Sequence, residues 1–341
     1  MTEINEAEAR LYNYTTELFK GHEKLLGDAH RNRAFYKALK KHVTPESNVL
    51  DIGSGTGVWA IIAARLGAKR VVAVEQDPIL IGLIKSLAIA NGVSDRIEAI
   101  ASESTQLQQA REFDIIISET IGNLAFDEQI VPIMIDARNR LLKPGGVLIP
   151  ESVALVASPA HLKSRQKKFP AGIDLNYDIF ELLALNIPVG LNDLSRLKIL
   201  SQPRDLVRAD LTTIGVIPEF SDLTLQWELD DVSEINCFAV WSEATLTRGV
   251  NLTTLKTTSW TPLIYRVAPF SIGRGLIEFT LTITAVTNYW KASLSSERGP
   301  QSQTYSPAYA ASLLLAQSRT ESDLLGSPQR MSFIGAGREQ M

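Results

Sequence analysis

Two glutamates stand nine positions apart in the stretch "SETIGNLAFDEQI" (118–130), with no lysine or arginine between them. Glu119 follows directly on the apolar run "FDIIIS", where a buried strand should end, and Glu128 lies beyond a loop that contains Gly122. Such carboxylates have two readings. In the plain one, Glu119 caps a helix and Glu128 is a solvated acid in a first helical turn. In the chemical one, the pair receives a cation whose N–H groups need two acceptors. Residues upstream also point to a ligand. "VLDIGSGTGVWAI" reads as strand, glycine turn and helix, and Gly53, Gly55 and Gly57 let the backbone pass a ligand with no Cβ in the way. Glu75 closes the next strand, where a carboxylate can accept both hydroxyls of a ribose.

The glycine turn by itself leaves the cofactor open. Gly55-x-Gly57-x-x-Ala60 loosely meets the dinucleotide fingerprint. The glycine that directly follows the strand is Gly53, however, and its frame puts Val58 in the third glycine place. Asp51 at the strand tip would also repel a pyrophosphate. S-adenosylmethionine has no phosphate and carries an ammonium and a sulfonium, which an aspartate tolerates. Asp51 therefore joins Gly53, Gly55, Gly57 and Glu75 as a candidate cofactor contact. A glycine turn holding no ligand is the third reading.

The elements that must position these residues follow from periodicity. Residues 5–42 are rich in helix formers, lack proline and predict a helical N-terminal segment. Then "SNVLDIG", "KRVVAVEQ", "DRIEAIA" and "FDIIIS" read as strands. They alternate with helices over "VWAIIAARLGA", "PILIGLIKSLAIANG" and "EQIVPIMIDARNRLL", the last closed by "KPGG". This alternation predicts an α/β fold with a parallel sheet covered on both faces. Beyond "VLIPESVALVASPA" the pattern changes. "LTLQWEL" (223–229) and "IEFTLTITA" (277–285) alternate with period two, the mark of antiparallel strands with one wet face. The expected organisation is an N-terminal helical segment over 1–45, a Rossmann-like domain over 46–150 and a β-rich domain over 151–295. A polar tail, partly disordered, follows over 296–341.

Composition bounds the function. Charged residues are 21% of 341 and the net charge is −4, so a broad nucleic-acid surface is not expected. The single cysteine, Cys237, excludes an internal disulfide, and the four histidines show no metal spacing. The acidic start "MTEINEAEAR" is not a signal peptide, and the apolar runs are short or interrupted, so neither export nor a membrane span is expected. A cytoplasmic location is the expectation that remains.

Three segments together, "HEKLLGDAHR" (22–31), "VLDIGSGTG" with "VEQD", and "SETIGNLAFDE", resemble the protein arginine methyltransferases in order and spacing. The resemblance runs from about Tyr12 to about Ala285. It implies a Rossmann-like domain that binds S-adenosylmethionine, then an antiparallel β-barrel with an inserted dimerisation arm near 163–208, and hence a homodimer. It implies that Arg31 holds the carboxylate of the cofactor's methionine part, that Gly53, Gly55 and Gly57 line the cofactor, and that Glu75 binds its ribose. Glu119 and Glu128 would be the catalytic pair that grips the guanidinium being methylated. Tyr12 falls on the first aromatic position of the family's N-terminal helix, and its second is Thr16.

The chain also departs from that family. Its Thr-His-Trp loop is Thr258-Ser259-Trp260 here, so the histidine that pairs with the aspartate at Asp28 is replaced by Ser259. The common Trp-Met-Gly-Tyr is Thr120-Ile121-Gly122-Asn123. The acidic residue expected near the adenine amine falls on Thr105 or Gln106. Asp28, Ser259 and Trp260 remain as substrate-side candidates. The expected activity is methyl transfer from S-adenosylmethionine to an arginine guanidinium in protein. Free arginine or another small guanidino acceptor on the same fold, and a non-catalytic protein that binds the cofactor, are the alternatives. A nicotinamide oxidoreductase is the remote reading. Among smaller features, "ELDDVSE" (228–234) reads as a hydrated turn, "KSRQKK" (163–168) as a solvated face and Cys237 as a core residue.

Overall fold

Five apolar runs form one parallel sheet in the computed structural model, which describes residues 6–108, 110–164, 175–176, 178–270, 273–284, 288–296 and 299–318. In chain order, α1 (Glu6–Leu26) and α2 (Ala29–His42) precede β1 (Asn48–Ile52), α3 (Val58–Arg65), β2 (Arg70–Glu75), α4 (Pro78–Ala90) and β3 (Ile97–Ala101). There follow β4 (Phe113–Ser118), α5 (Ile130–Arg140) and β5 (Leu142–Ile149). The sheet order is β3-β2-β1-β4-β5, every pair parallel. β1 therefore has β2 on one side and β4 on the other, and the winding reverses there. In open sheets of this kind the crevice at such a reversal, beyond the carboxyl ends of the strands, is where ligands bind. Helix burial explains why the strands are apolar without alternation: Val49, Leu50, Val71, Val72, Ile116 and Ile117 are all buried.

Two details differ from the sequence expectation. The N-terminal helical segment breaks at Gly27–Asp28, because Asp28 adopts an extended backbone and its side chain accepts the Arg31 N–H, capping a new helix. "KPGG" does not close α5; it lies inside β5, where the register against β4 shifts and Gly145 turns left-handed.

The chain divides into two compact units. The first holds residues 1–154, 208–217 and 242–261, and the second 155–207, 218–241 and 262–341. The remaining elements are β6 (Ser152–Leu162), α6 (Asp178–Ala184), β7 (Val189–Gly190), β8 (Leu197–Ile199), β9 (Arg204–Asp210) and β10 (Leu223–Leu229). After them come β11 (Cys237–Thr247), β12 (Val250–Thr253), β13 (Leu263–Arg266), β14 (Gly275–Ile283), β15 (Asn288–Ser296), β16 (Gln301–Tyr305) and α7 (Pro307–Ser318). They build a four-stranded antiparallel sheet, β10-β14-β15-β16, and a seven-stranded sheet that runs β7-β13-β11-β6-β8, with β12 on β11 and β9 on β6. The second unit is packed by aromatic rings: Phe238 stacks on Phe279 at 4.3 Å, and Tyr265 meets Trp290 edge-on at 5.0 Å. The alternation read in 223–229 and 277–283 is present, with Trp227, Ile277, Phe279 and Leu281 buried. β7, β8 and the start of β9 fall within 163–208, and β16 and α7 occupy the start of the polar tail. Residues 165–168 of the basic run and 319–341 of the tail lie outside the described residues. Among the described residues no helix is long and apolar enough to cross a membrane.

Candidate active site

The three strand ends that flank the reversal each deliver one functional piece. Beyond β1 the chain turns through Gly53, Gly55 and Gly57, all with left-handed backbones (φ 66°, 55° and 77°). A Cβ on Gly53 would sit 2.8 Å from Thr120, and one on Gly55 2.8 Å from His22, so the loop is pressed between two neighbours. The N–H groups of Gly53 and Ser54 both donate to the Val74 carbonyl, which ties the loop to the end of β2. Glu75, the last residue of β2, accepts the Gly55 N–H at 2.9 Å and the N–H groups of Gln76 and Asp77 at 2.8 and 3.1 Å. One carboxylate thus shapes both loops that border the crevice. β4 ends at Ser118, whose hydroxyl donates to the Ile52 carbonyl, and the next residue is Glu119.

These pieces surround a cavity of about 300 Å³ whose walls include His22, Arg31, Gly53, Gly55, Glu75, Glu119, Glu128 and Trp260. A second cavity of about 580 Å³ shares Gly53, Glu75, Thr120 and Glu128 with it and extends to Ser102, Glu103, Thr105 and Pro132. The two glutamates of the opening motif therefore do converge on one space, together with Arg31, Gly53, Gly55, Glu75 and Trp260. Gly57 is packed under Ile84. Asp51 faces away from the cavity: it is wholly buried and accepts the Ala60 N–H at 3.0 Å, in the first turn of α3. Burial pushes its carboxyl up to about 7, against the pull of that N–H, and its Oδ1 has no partner.

Arg31 and Glu119 form an ion pair with side chains only 3% and 10% exposed, so both charges are almost out of water. The guanidinium lies among three aromatic rings, 5.1 Å from Trp59, 5.8 Å from Trp260 and 5.9 Å from Phe35. One terminal nitrogen also donates to Asn32 and to the Leu25 carbonyl, whereas Nε is buried with no partner among the described residues. Desolvation raises the Glu119 carboxyl above its ordinary range, with Arg31 opposing the rise. Glu128 opens toward solvent at the mouth. The crevice walls still desolvate it, and the charges of Glu119 and Asp127 add to that effect, so its carboxyl is pushed up to about 7. Its neighbours act on it through charge, not through a hydrogen bond.

Asp28 works beside the cavity. Its Oδ1 accepts the Arg31 N–H at 3.0 Å, and its Oδ2 accepts the N–H groups of Thr258 and Ser259 and the Ser259 hydroxyl at 2.8, 2.9 and 2.7 Å. Burial works against its charge, but these four donors outweigh it and hold the carboxyl below the usual range. Ser259 therefore meets Asp28, as the histidine it replaces does in the family. Tyr12 is exposed on α1.

The wall residues not nominated from sequence include His22, Trp59, Thr120 and Glu103. His22 heads the motif "HEKLLGDAHR" and could have been read from it. Its imidazole is lowered by burial and by Arg31, with Glu75 pulling it up. Trp59, Thr120 and Glu103 had no signal beyond their neighbourhood. Thr105 does border the second cavity, but the acid on that wall is Glu103, while Gln106 accepts the Ser102 hydroxyl.

Comparison with known proteins agrees with this geometry. The family model for ribosomal protein L11 methyltransferase (PrmA) matches residues 33–154. An arginine N(omega)-methyltransferase of Streptomyces achromogenes subsp. streptozoticus is 33% identical over 239 residues, which cover 68% of this chain and 65% of that protein. The chain thus spans just under two thirds of that relative's length. Protein arginine N-methyltransferase 6 of Danio rerio is 28% identical, over 66% of this chain and 68% of its own. Among solved structures, the Trypanosoma brucei PRMT1 enzyme–prozyme complex superposes with a TM-score of 0.67 at 21% identity, over 83% of this chain and 96% of that one. Arabidopsis thaliana protein arginine methyltransferase 10 gives 0.67 at 19% identity, with the same coverage. The motifs, the parallel sheet with its following antiparallel sheets and these relatives agree: over about two thirds of its length the chain is similar to the arginine N-methyltransferases.

Proposed function

We propose that this protein is an S-adenosylmethionine-dependent N-methyltransferase that acts on an arginine guanidinium. The observation that carries the reading is that Glu119, at the end of β4, already holds a guanidinium, that of Arg31, inside a cavity that Glu128 also lines. The residues present fit the cofactor. Gly53 and Gly55 leave backbone where a Cβ would fill the crevice, Glu75 offers a carboxylate to a ribose, and the unpartnered Nε of Arg31 is a donor for a ligand carboxylate. When bound, the cofactor supplies an electrophilic methyl on a sulfonium whose sulfur departs as a neutral thioether.

The chain's own residues supply the rest. A guanidinium has a pKa above about 12 and delocalised lone pairs, so it attacks poorly unless its charge is drawn toward the nitrogens that do not react. Glu119 and Glu128 accept N–H donors from those nitrogens and leave the third exposed. Holding reacting atoms in contact geometry contributes about 7–11 kcal/mol in favourable cases. Glu128, with a carboxyl pushed up to about 7 and no hydrogen bond among the described residues to occupy it, takes the proton that the methylated nitrogen gives up. Ser259, whose hydroxyl donates to Asp28, can relay a proton but is not itself a base near neutral pH.

Labelled S-adenosylmethionine mixed with an arginine-rich peptide, and separately with free arginine, tests the reading. Transfer to either supports it, and no transfer to any guanidino compound sinks it. The small-molecule acceptor stays a second reading for two reasons. The Streptomyces relative's name specifies arginine without protein, and Thr120, Asn123 and Ser259 have replaced family residues on the acceptor side. A homodimer built through the segment near 163–208 belongs to the same proposal. Sedimentation at twice the monomer mass supports it, and a monomer at micromolar concentration removes it.

A further inference from the structure

The acidic loop between β4 and α5 carries unusual backbone strain. Gly122, Ala125 and Gln129 all turn left-handed (φ 66°, 63° and 60°), two of them with side chains that disfavour it, and Ala125 is fully buried. Such conformations persist only where surrounding contacts dictate them. Part of that constraint is internal: Asp127 accepts the Leu124 N–H, and a Cβ on Gly122 would lie 2.0 Å from the Asp127 carboxylate. The rest comes from Asn123. Its side-chain oxygen accepts the Thr261 N–H at 2.9 Å, and its backbone carbonyl accepts the Ser242 hydroxyl at 2.7 Å. The segment 258–261 is thus held at its start by Asp28 of the α1–α2 junction and at its end by Asn123. Trp260 lies between the two ties, over Arg31 and at the cavity wall.

We propose that Asn123 is a positioning residue that locks the acidic loop to the Thr258–Thr261 loop, so that Glu128 and Trp260 face the cavity in one fixed arrangement. Its consequence for rate rests on the methyltransferase reading; the lock itself does not. The amide oxygen is the essential atom, because an apolar side chain of equal size cannot accept the Thr261 N–H.

The test compares Asn123→Leu with the wild type in three measurements. Amide hydrogen exchange at Thr261, which needs no activity, should quicken at least tenfold. The kcat for the guanidino acceptor should fall about tenfold while cofactor affinity and acceptor KM change less than about twofold. In a Trp260→Ala background the same substitution should cost less than about twofold, because both changes release one loop. Unchanged exchange at Thr261 overturns the lock, as do rate effects that multiply independently of Trp260. Asn123→Ala, which removes the same amide oxygen with less bulk, serves in the same three measurements if Asn123→Leu is recovered unfolded. A wild-type chain that transfers no methyl group sinks the functional reading, and the exchange data alone then decide the lock.

Discussion

Arg31 and Glu119 are a buried pair whose partners have different work to do once ligands arrive, and that makes their substitutions informative. Neutralising one side of a buried pair leaves the other charge unmatched, at about 3–5 kcal/mol. Glu119→Gln keeps the shape and one acceptor but cannot draw charge from a guanidinium. Transfer should fall about a hundredfold while S-adenosylmethionine still raises the melting temperature. Transfer at the wild-type rate would remove Glu119 from the grip. Glu128 sets the pH profile. Its carboxyl is pushed up to about 7, and the protonated form neither draws charge from the acceptor's guanidinium nor takes up its proton. The acceptor guanidinium stays charged throughout, so kcat/KM should rise with pH between about 6 and 8. Glu128→Gln should give a flat profile at a low level. An unchanged slope in that variant would assign the titration to another group.

At the level of elements, Asp51 joins the tip of β1 to the first turn of α3 through its bond to Ala60, yet half of its carboxylate is unsatisfied. Its folded pKa, about 7, lies above the ordinary value of 3.8, so the folded state keeps a proton that the unfolded state has lost. That contribution to stability is complete below the unfolded pKa and disappears as pH rises through the folded one. Asp51→Asn should therefore match the wild type near pH 4, become increasingly more stable as pH rises toward about 7 and keep a constant advantage above it, read as urea midpoints. Gly122→Ala should displace Asp127 and with it Glu128, lowering transfer far more than stability. The parallel sheet, its order of helices and the paired glutamates were all legible in the sequence, because apolar period and glycine spacing are local properties. The break at Gly27–Asp28 was not, since its cause includes Thr258 and Ser259, more than two hundred residues along the chain. Asp51 looked like a cofactor contact for a related reason. Sequence places it at the strand tip, but only the fold shows that its side chain turns toward α3. The strands between 189 and 210 escaped notice because they are short and half-exposed, with too few residues to show a period.

At the scale of the molecule, every wall of the two cavities belongs to the first unit, while the second is held by its own aromatic stack. The two should answer to different perturbations in calorimetry. S-adenosylmethionine should raise the transition of the first unit, and Phe279→Ala, which empties the site opposite Phe238, should lower that of the second by about 3–5 kcal/mol. A cofactor effect confined to the second transition would contradict the location of the site. The first unit is itself discontinuous, and its pocket takes Trp260 and the donors to Asp28 from residues far beyond β5. Trimming the protein to its sheet-and-helix half would remove three of the four donors to the Asp28 carboxylate and strip one ring from around Arg31. A minimal fragment excised for engineering would thus lose its active form even with both glutamates and every glycine in place, so the Thr258–Thr261 loop has to travel with it.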